Sequence, residues 1–219
     1  FRIIETFNSL DLLHMVTRLL ESVIVQYLFR GRALILYGAR RVGKTTLARQ
    51  ILARYPDKRT LYLNCDLLSV QRGIGVEEAV TLRAFLGEQD LVVLDEAQQI
   101  PNIGRILKIL VDEYPQMQII ATGSSSFELV NQSAEPLTGR MYRFELYPLA
   151  LQELMGSGGY SSIDARLEHF LRFGLYPSIV DLSEKDARLE LDELVSNYLY
   201  RDALSFIGVR NSTTLIKLL

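Results

Sequence analysis

Gly38-Ala39-Arg40-Arg41-Val42-Gly43-Lys44-Thr45-Thr46 sets two glycines, a lysine and a hydroxyl residue at the offsets of a phosphate-binding loop. Glycines at 38 and 43 let the backbone turn tightly and approach an anion with no side chain in the way. The loop amides, with the first amides of a following helix, would then point at phosphate oxygens. Lys44 would bring its ammonium to the β- and γ-phosphates, and Thr45 would offer its hydroxyl to Mg2+. Arg40 and Arg41 fill variable loop positions and are expected at the surface.

Leu91-Val92-Val93-Leu94-Asp95-Glu96 supplies what such a loop lacks. Four apolar residues carry a strand through a core and deliver two carboxylates at its C-terminal end, where ligands bind in open α/β sheets. Asp95 would orient Mg2+ through coordinated water and Thr45, and Glu96 would polarise the water that attacks a γ-phosphate. The plainer alternative is an acidic pair capping the next helix. Ile119-Ile120-Ala121-Thr122-Gly123-Ser124-Ser125-Ser126 ends a third apolar run in hydroxyls. Thr122 and Ser124 are the candidates to face the attacking water or γ-phosphate; otherwise this is a strand-to-helix turn with a serine cap. Gly123-Ser124-Ser125 lacks the second glycine of a serine-hydrolase elbow. Arg140 could neutralise charge developing on a neighbouring γ-phosphate, or it is a solvated loop arginine. A small-molecule kinase needs no water-activating glutamate beside its metal-ligand aspartate. A signalling GTPase would carry Asn-Lys-x-Asp, which is absent, so ATP hydrolysis is favoured.

The elements that must position these residues are legible as alternating apolar runs and helical patterns. Residues 33–37 read as a buried strand, 61–63, 91–94 and 119–121 as further apolar strand runs, and 45–55, 76–86 and 102–114 as helices between them. In the last of these, Ile103, Ile106, Leu107, Leu110 and Val111 fall on one face. Such alternation implies an α/β fold, with a parallel sheet sandwiched by helices. Residues 142–146 alternate apolar with charged and suit a half-exposed edge strand. Residues 9–29 read as one amphipathic helix, with Leu12, Leu13, Val16, Leu19, Leu20 and Val23 available for packing. Gly156-Ser157-Gly158-Gly159 reads as a loop, and 164–173 and 184–204 as helices beyond it. We therefore expect a nucleotide-binding domain with an N-terminal helical extension over 1–149. A helical segment over 150–219 would be the start of a longer C-terminal domain.

The 219 residues carry a formal net charge of −2, which gives no global field toward nucleic acid or anionic lipid. A single cysteine, Cys65, excludes an internal disulfide, and two histidines make a zinc site a poor expectation. No apolar stretch reaches the ~18 residues of a membrane span, and a soluble cytoplasmic protein is expected.

The phosphate loop, the acidic strand tip, the hydroxyl-rich strand end and Gly139-Arg140 follow in the order seen in AAA-type P-loop ATPases. More narrowly, Tyr37 to Thr46, Leu94-Asp95-Glu96-Ala97-Gln98 and Thr122 to Ser126 resemble a prokaryotic AAA-like group with a C-terminal domain of unknown function. Phe144 to Leu149, Phe173-Gly174-Leu175-Tyr176-Pro177 and Tyr200-Arg201-Asp202 are similar to the same group's following region. Leu175 stands where the group commonly has a second glycine. The resemblance implies a P-loop NTPase with a five-stranded sheet ordered 5-1-4-3-2. That order would set the Ile119 strand between the loop strand and the acidic strand, and the Tyr142 strand at an edge.

Three activities fit. The first is an Mg2+-dependent ATP-hydrolysing remodeller that couples nucleotide state to motion of the C-terminal helical segment, with Arg140 completing the site of a neighbouring copy in a homo-oligomer. The second is a slow nucleotide-dependent switch. The third is a nucleic-acid translocase, since Asp95-Glu96-Ala97-Gln98 is superficially similar to helicase boxes; 219 residues leave no room for a second motor lobe. The helical segment would bind a protein, a nucleic acid or another subunit.

Overall fold

The computed structural model describes residues 16–123, 137–155 and 159–196. Five parallel strands form one sheet: β1 (Ala33–Tyr37), β2 (Thr60–Asn64), β3 (Leu91–Asp95), β4 (Gln118–Gly123) and β5 (Met141–Glu145). Their order is β2-β3-β4-β1-β5, the order the resemblance implies read from the opposite edge. Leu36 lies opposite Thr122 and Leu94 opposite Ala121. The C-terminal tips of β1, β3 and β4 therefore end side by side.

Strand runs without polar alternation follow from burial on both faces. Leu34, Leu36, Leu91, Val93 and Ile120 enter one apolar cluster, with Leu47, Ala48 and Ile51 of α2 (Lys44–Ala53) and Ile24 of α1 (Leu19–Val25). The intervening Ala33, Ile35, Val92, Leu94, Ile119 and Ala121 enter a second cluster on the other face. That face is covered by α3 (Leu68–Ile74), α4 (Ala79–Leu86) and α5 (Ile103–Glu113). Ile103, Ile106, Leu107 and Leu110 of α5 are fully buried, each worth roughly 1.5–3 kcal/mol over exposure. Like β2 at the other side, β5 is an edge strand. Its Tyr142 and Phe144 meet Tyr27 edge-on, with centroids 4.8 and 5.5 Å apart, while Arg143 and Glu145 are exposed.

Three expected helices need correction. The segment 9–29 does not form one helix over its described part, because Arg18 is extended (φ −81°, ψ 135°) and α1 starts only at Leu19. Leu19 and Val23 are exposed; Glu21, Ile24 and Leu28 face inward instead, with Glu21 ion-paired to Arg54. The helix expected from Val76 begins at Ala79, and α3 precedes it unforeseen. The helix expected over 164–173 is split into α7 (Gly159–Asp164) and α8 (Leu167–Phe173).

The chain divides into two compact units, Phe1–Tyr147 and Pro148–Leu219. The described part of the second is helical: α6 (Leu151–Leu154), α7, α8 and α9 (Glu184–Leu194). Phe173, Ile179 and Ala187 form its small core. Ser183 caps α9 by accepting the Asp186 amide at 3.3 Å. The helix expected over 184–204 lies outside the described residues past 196, as do the Gly156 to Gly158 part of the loop and Tyr200-Arg201-Asp202.

Candidate nucleotide site

The loop leaves β1 at Tyr37 and enters α2 at Lys44. Gly43 is left-handed (φ 100°, ψ 22°) and serves as the cap of α2. The first bond of this helix start runs from the Leu47 amide to the Gly43 carbonyl at 2.9 Å, and the amides ahead of it point out of the helix end. Gly38 has φ 150°, and a Cβ there would lie 2.2 Å from the Leu146 carbonyl oxygen. The glycine is demanded by the chain leaving β5 as well as by any anion, which the motif alone does not reveal. Val42 is fully buried beneath the loop, Arg41 is exposed, and Arg40 is half-buried, deeper than expected.

Lys44 is only 5% exposed. Its Nζ donates to the Gly38 and Ala39 carbonyls at 2.9 and 2.8 Å, so the ammonium sits inside the loop that it shapes. Buried cations demand such partners. A phosphate oxygen at the loop would meet this charge directly.

Asp95, at the tip of β3, is 4% exposed and gathers three hydroxyls from three other elements. Thr45 Oγ1 of α2 donates to Oδ2 at 2.8 Å, Tyr62 Oη of β2 donates to Oδ2 at 2.5 Å, and Thr122 Oγ1 of β4 donates to Oδ1. Thr122 is fully buried and accepts the Glu96 amide at 3.1 Å, which ties the next residue to the same post. Having given its one proton to Asp95, Thr45 Oγ1 keeps only lone pairs for anything on its other side. That is the donor chemistry Mg2+ takes: hard oxygens, few of them from protein, the rest from water and phosphate. Among the described residues no group of three or more His, Cys, Asp or Glu could hold a metal without such help.

Glu96 adopts the left-handed conformation (φ 55°, ψ 43°) and opens a short 3-10 turn over Ala97–Gln99. Non-glycine residues take this region at a cost and only where their surroundings enforce it. Its Oε2 accepts from Gln98 Nε2. Burial, then the bond to Asp95 and its charge, hold the Tyr62 hydroxyl far above the usual phenol range; Arg49 pulls the other way. Tyr62 therefore remains a donor at any physiological pH. Burial, aided by the charges of Asp95, Asp66 and Glu96, pushes the Cys65 thiol up to about 12, so it is no nucleophile there.

The candidates thus divide. Lys44, Thr45, Asp95, Glu96 and Thr122 come together at the strand tips. Ser124 lies outside the described residues. Arg140 does not join them: its carbonyl accepts from Ala33, the first residue of β1, while the loop follows the last. The two lie a strand length apart, roughly 15 Å. Its guanidinium pairs there with Asp112 at 2.6 Å.

Sequence reasoning missed Tyr62, Gln98 and Arg18. Tyr62 and Asn64 share a face of β2, and Asn64 lies opposite Asp95, so the β2–β3 register was the missing signal. Arg18 is 6% exposed and bridges the Val42 carbonyl (2.9 Å) to the Tyr147 carbonyl (2.6 Å). Nothing in an amphipathic pattern marks an arginine as buried. No described helix is long and apolar enough to cross a membrane.

An uncharacterised protein of Mycobacterium tuberculosis is 34% identical to the chain over 185 residues, covering 84% of the chain and 38% of that protein. An uncharacterised protein of Methanocaldococcus jannaschii is 27% identical over 192 residues, covering 81% and 43%. The chain therefore spans about two fifths of the length of these relatives. Among solved structures, AMPPCP-bound DnaA from Aquifex aeolicus is similar at a TM-score of 0.46 and 16% identity, over 81% of this chain and 60% of that one. The Walker-type ATPase of Pyrococcus abyssi is similar at 0.45 and 16%, over 89% and 69%. A family described as "AAA domain" matches residues 30–155, more than half of the chain. With a parallel sheet of the expected order and a phosphate loop on its first strand, this chain belongs to the AAA-domain family of P-loop proteins.

Proposed function

We propose that this chain binds ATP with Mg2+ and hydrolyses it to ADP and phosphate. The observation that carries the reading is the meeting of Thr45 and Thr122 with one buried carboxylate, Asp95, at the strand tips, beside a loop that holds the buried Lys44 ammonium. Loop amides and Lys44 bind and orient the triphosphate. Thr45 and Asp95 would hold Mg2+, which supplies neutralisation of phosphate charge when bound. Glu96 takes a proton from water as its oxygen bonds to the γ-phosphorus, and the bond from that phosphorus to the β–γ bridging oxygen breaks. Thr122, holding the Glu96 amide, fixes where that carboxylate begins.

Coupling of nucleotide state to the helical segment is supported by Arg18, which joins the loop at Val42 to Tyr147, the last residue before the second unit. Arg140 would enter chemistry only from a second copy. One observation favours a slower, switch-like turnover: Gln98 already engages the Glu96 carboxylate, which must exchange that partner for water.

Phosphate release from Mg·ATP, with sedimentation measured with and without nucleotide, tests the reading. Wild type should turn over. Glu96→Gln should retain binding and lose on the order of 10²–10⁴ in rate. Wild-type turnover by that variant would remove Glu96 from the base role, and no turnover by the wild type would remove the hydrolase reading.

A further inference from the structure

We propose that Tyr62 is a positioning residue for the metal half of this site, setting which acceptor position of Asp95 remains for Mg2+ and its water. The inference rests on the Mg·nucleotide reading above.

A carboxylate offers about four lone-pair positions. Three on Asp95 are taken: Thr45 and Tyr62 fill those of Oδ2, and Thr122 takes one on Oδ1. A single position on Oδ1 is left for a further donor. Without the Tyr62 hydroxyl two positions would open, one on each oxygen, and the carboxylate plane would lose one of the bonds that fix it. Thr45 and Thr122 alone hold one oxygen each, and rotation about the bond to the carboxylate would trade one against the other.

Tyr62 is itself held firmly. Its ring packs in the apolar cluster between the sheet and α2, and the Arg49 guanidinium lies 4.3 Å from the ring centroid. Arg49 sits one helical turn beyond Thr45 on α2, so the helix that presents the metal-facing hydroxyl also clamps the ring that orients the carboxylate. Two contacts to Asp95 thus share one rigid support. A partner that fixes a metal-holding carboxylate typically matters 10- to 100-fold in metal affinity.

The test uses the full chain, fluorescent N-methylanthraniloyl-ADP as probe, and Tyr62→Phe, which keeps the ring and its packing on Arg49. ADP affinity is measured in EDTA and then across a Mg2+ titration. The expected result is an EDTA affinity within about twofold of wild type, with roughly tenfold more Mg2+ needed for half of its effect on binding. Superimposable Mg2+ titrations for the two proteins overturn the assignment while leaving the nucleotide reading intact. So does a parallel loss of affinity with and without Mg2+, which marks a general packing role. Failure of the wild type to bind the probe under any condition overturns the nucleotide reading, and this inference with it.

Discussion

At the C-terminal tips of β1, β3 and β4 hydroxyls converge on one buried carboxylate, whereas at the opposite ends of the strands the charged side chains pair off at the surface. Arg59, ahead of β2, meets Asp90, ahead of β3, at 3.1 Å, and Arg83 meets Glu88 at 2.8 Å. Arg140, ahead of β5, meets Asp112. Bonding and charge from Arg59 hold Asp90 below the usual carboxylate range, and Arg83 does the same for Glu88. Depressed carboxylates add stability above their ordinary titration range and lose it as pH falls through the lowered values. Here Glu88 is 73% exposed and Asp90 35%, so water and salt screen most of it. Burial makes the other end different in kind. Lys44, Asp95 and Thr122 cannot fall back on solvent, so each must be matched by protein or by ligand.

Substitutions at the two ends should therefore differ in size. Lys44→Ala takes a buried ammonium out of the loop and should weaken nucleotide binding by at least ~30-fold in a direct titration. A change of a few-fold would make the C-terminal end no more consequential than the surface. Gly38→Ala drives a Cβ to 2.2 Å from the Leu146 carbonyl in a backbone region that disfavours side chains. It should cost about 1–3 kcal/mol in urea unfolding, and an unaltered midpoint would show that the loop gives way freely. Arg140→Ala and Asp112→Asn, at the solvated end, should each stay within about 1 kcal/mol. They also sharpen the question of assembly. If Arg140 serves a neighbouring copy, Arg140→Ala lowers turnover with binding intact, while Asp112→Asn, which merely releases the guanidinium, does not.

The sheet was legible because four strands are short apolar runs and β5 alternates apolar with charged residues, while the longer covering helices repeat at 3.6 residues; α5 is the plainest instance. Lys44, Thr45 and Asp95 were legible because phosphate chemistry fixes their spacing within single segments. What sequence did not reveal depends on side chains meeting across segments. Tyr62 reaches Asp95 only through the β2–β3 register. Arg18 interrupts an otherwise helical pattern because its backbone extends to place the guanidinium between two carbonyls. The position of Arg140 follows from strand direction: a residue entering a parallel strand lies at the foot of its neighbours, whatever its place in a motif.

The close approach of Gly38 to the Leu146 carbonyl has a practical corollary. β5, paired on one side only, leads at Leu146 into the floor on which the anion cradle rests. A shortened version cut after β4 would keep Lys44, Thr45, Asp95, Glu96 and Thr122 and yet leave the cradle without its underside. Any minimal nucleotide-binding fragment must run through Tyr147, where Arg18 fastens the far margin of that floor.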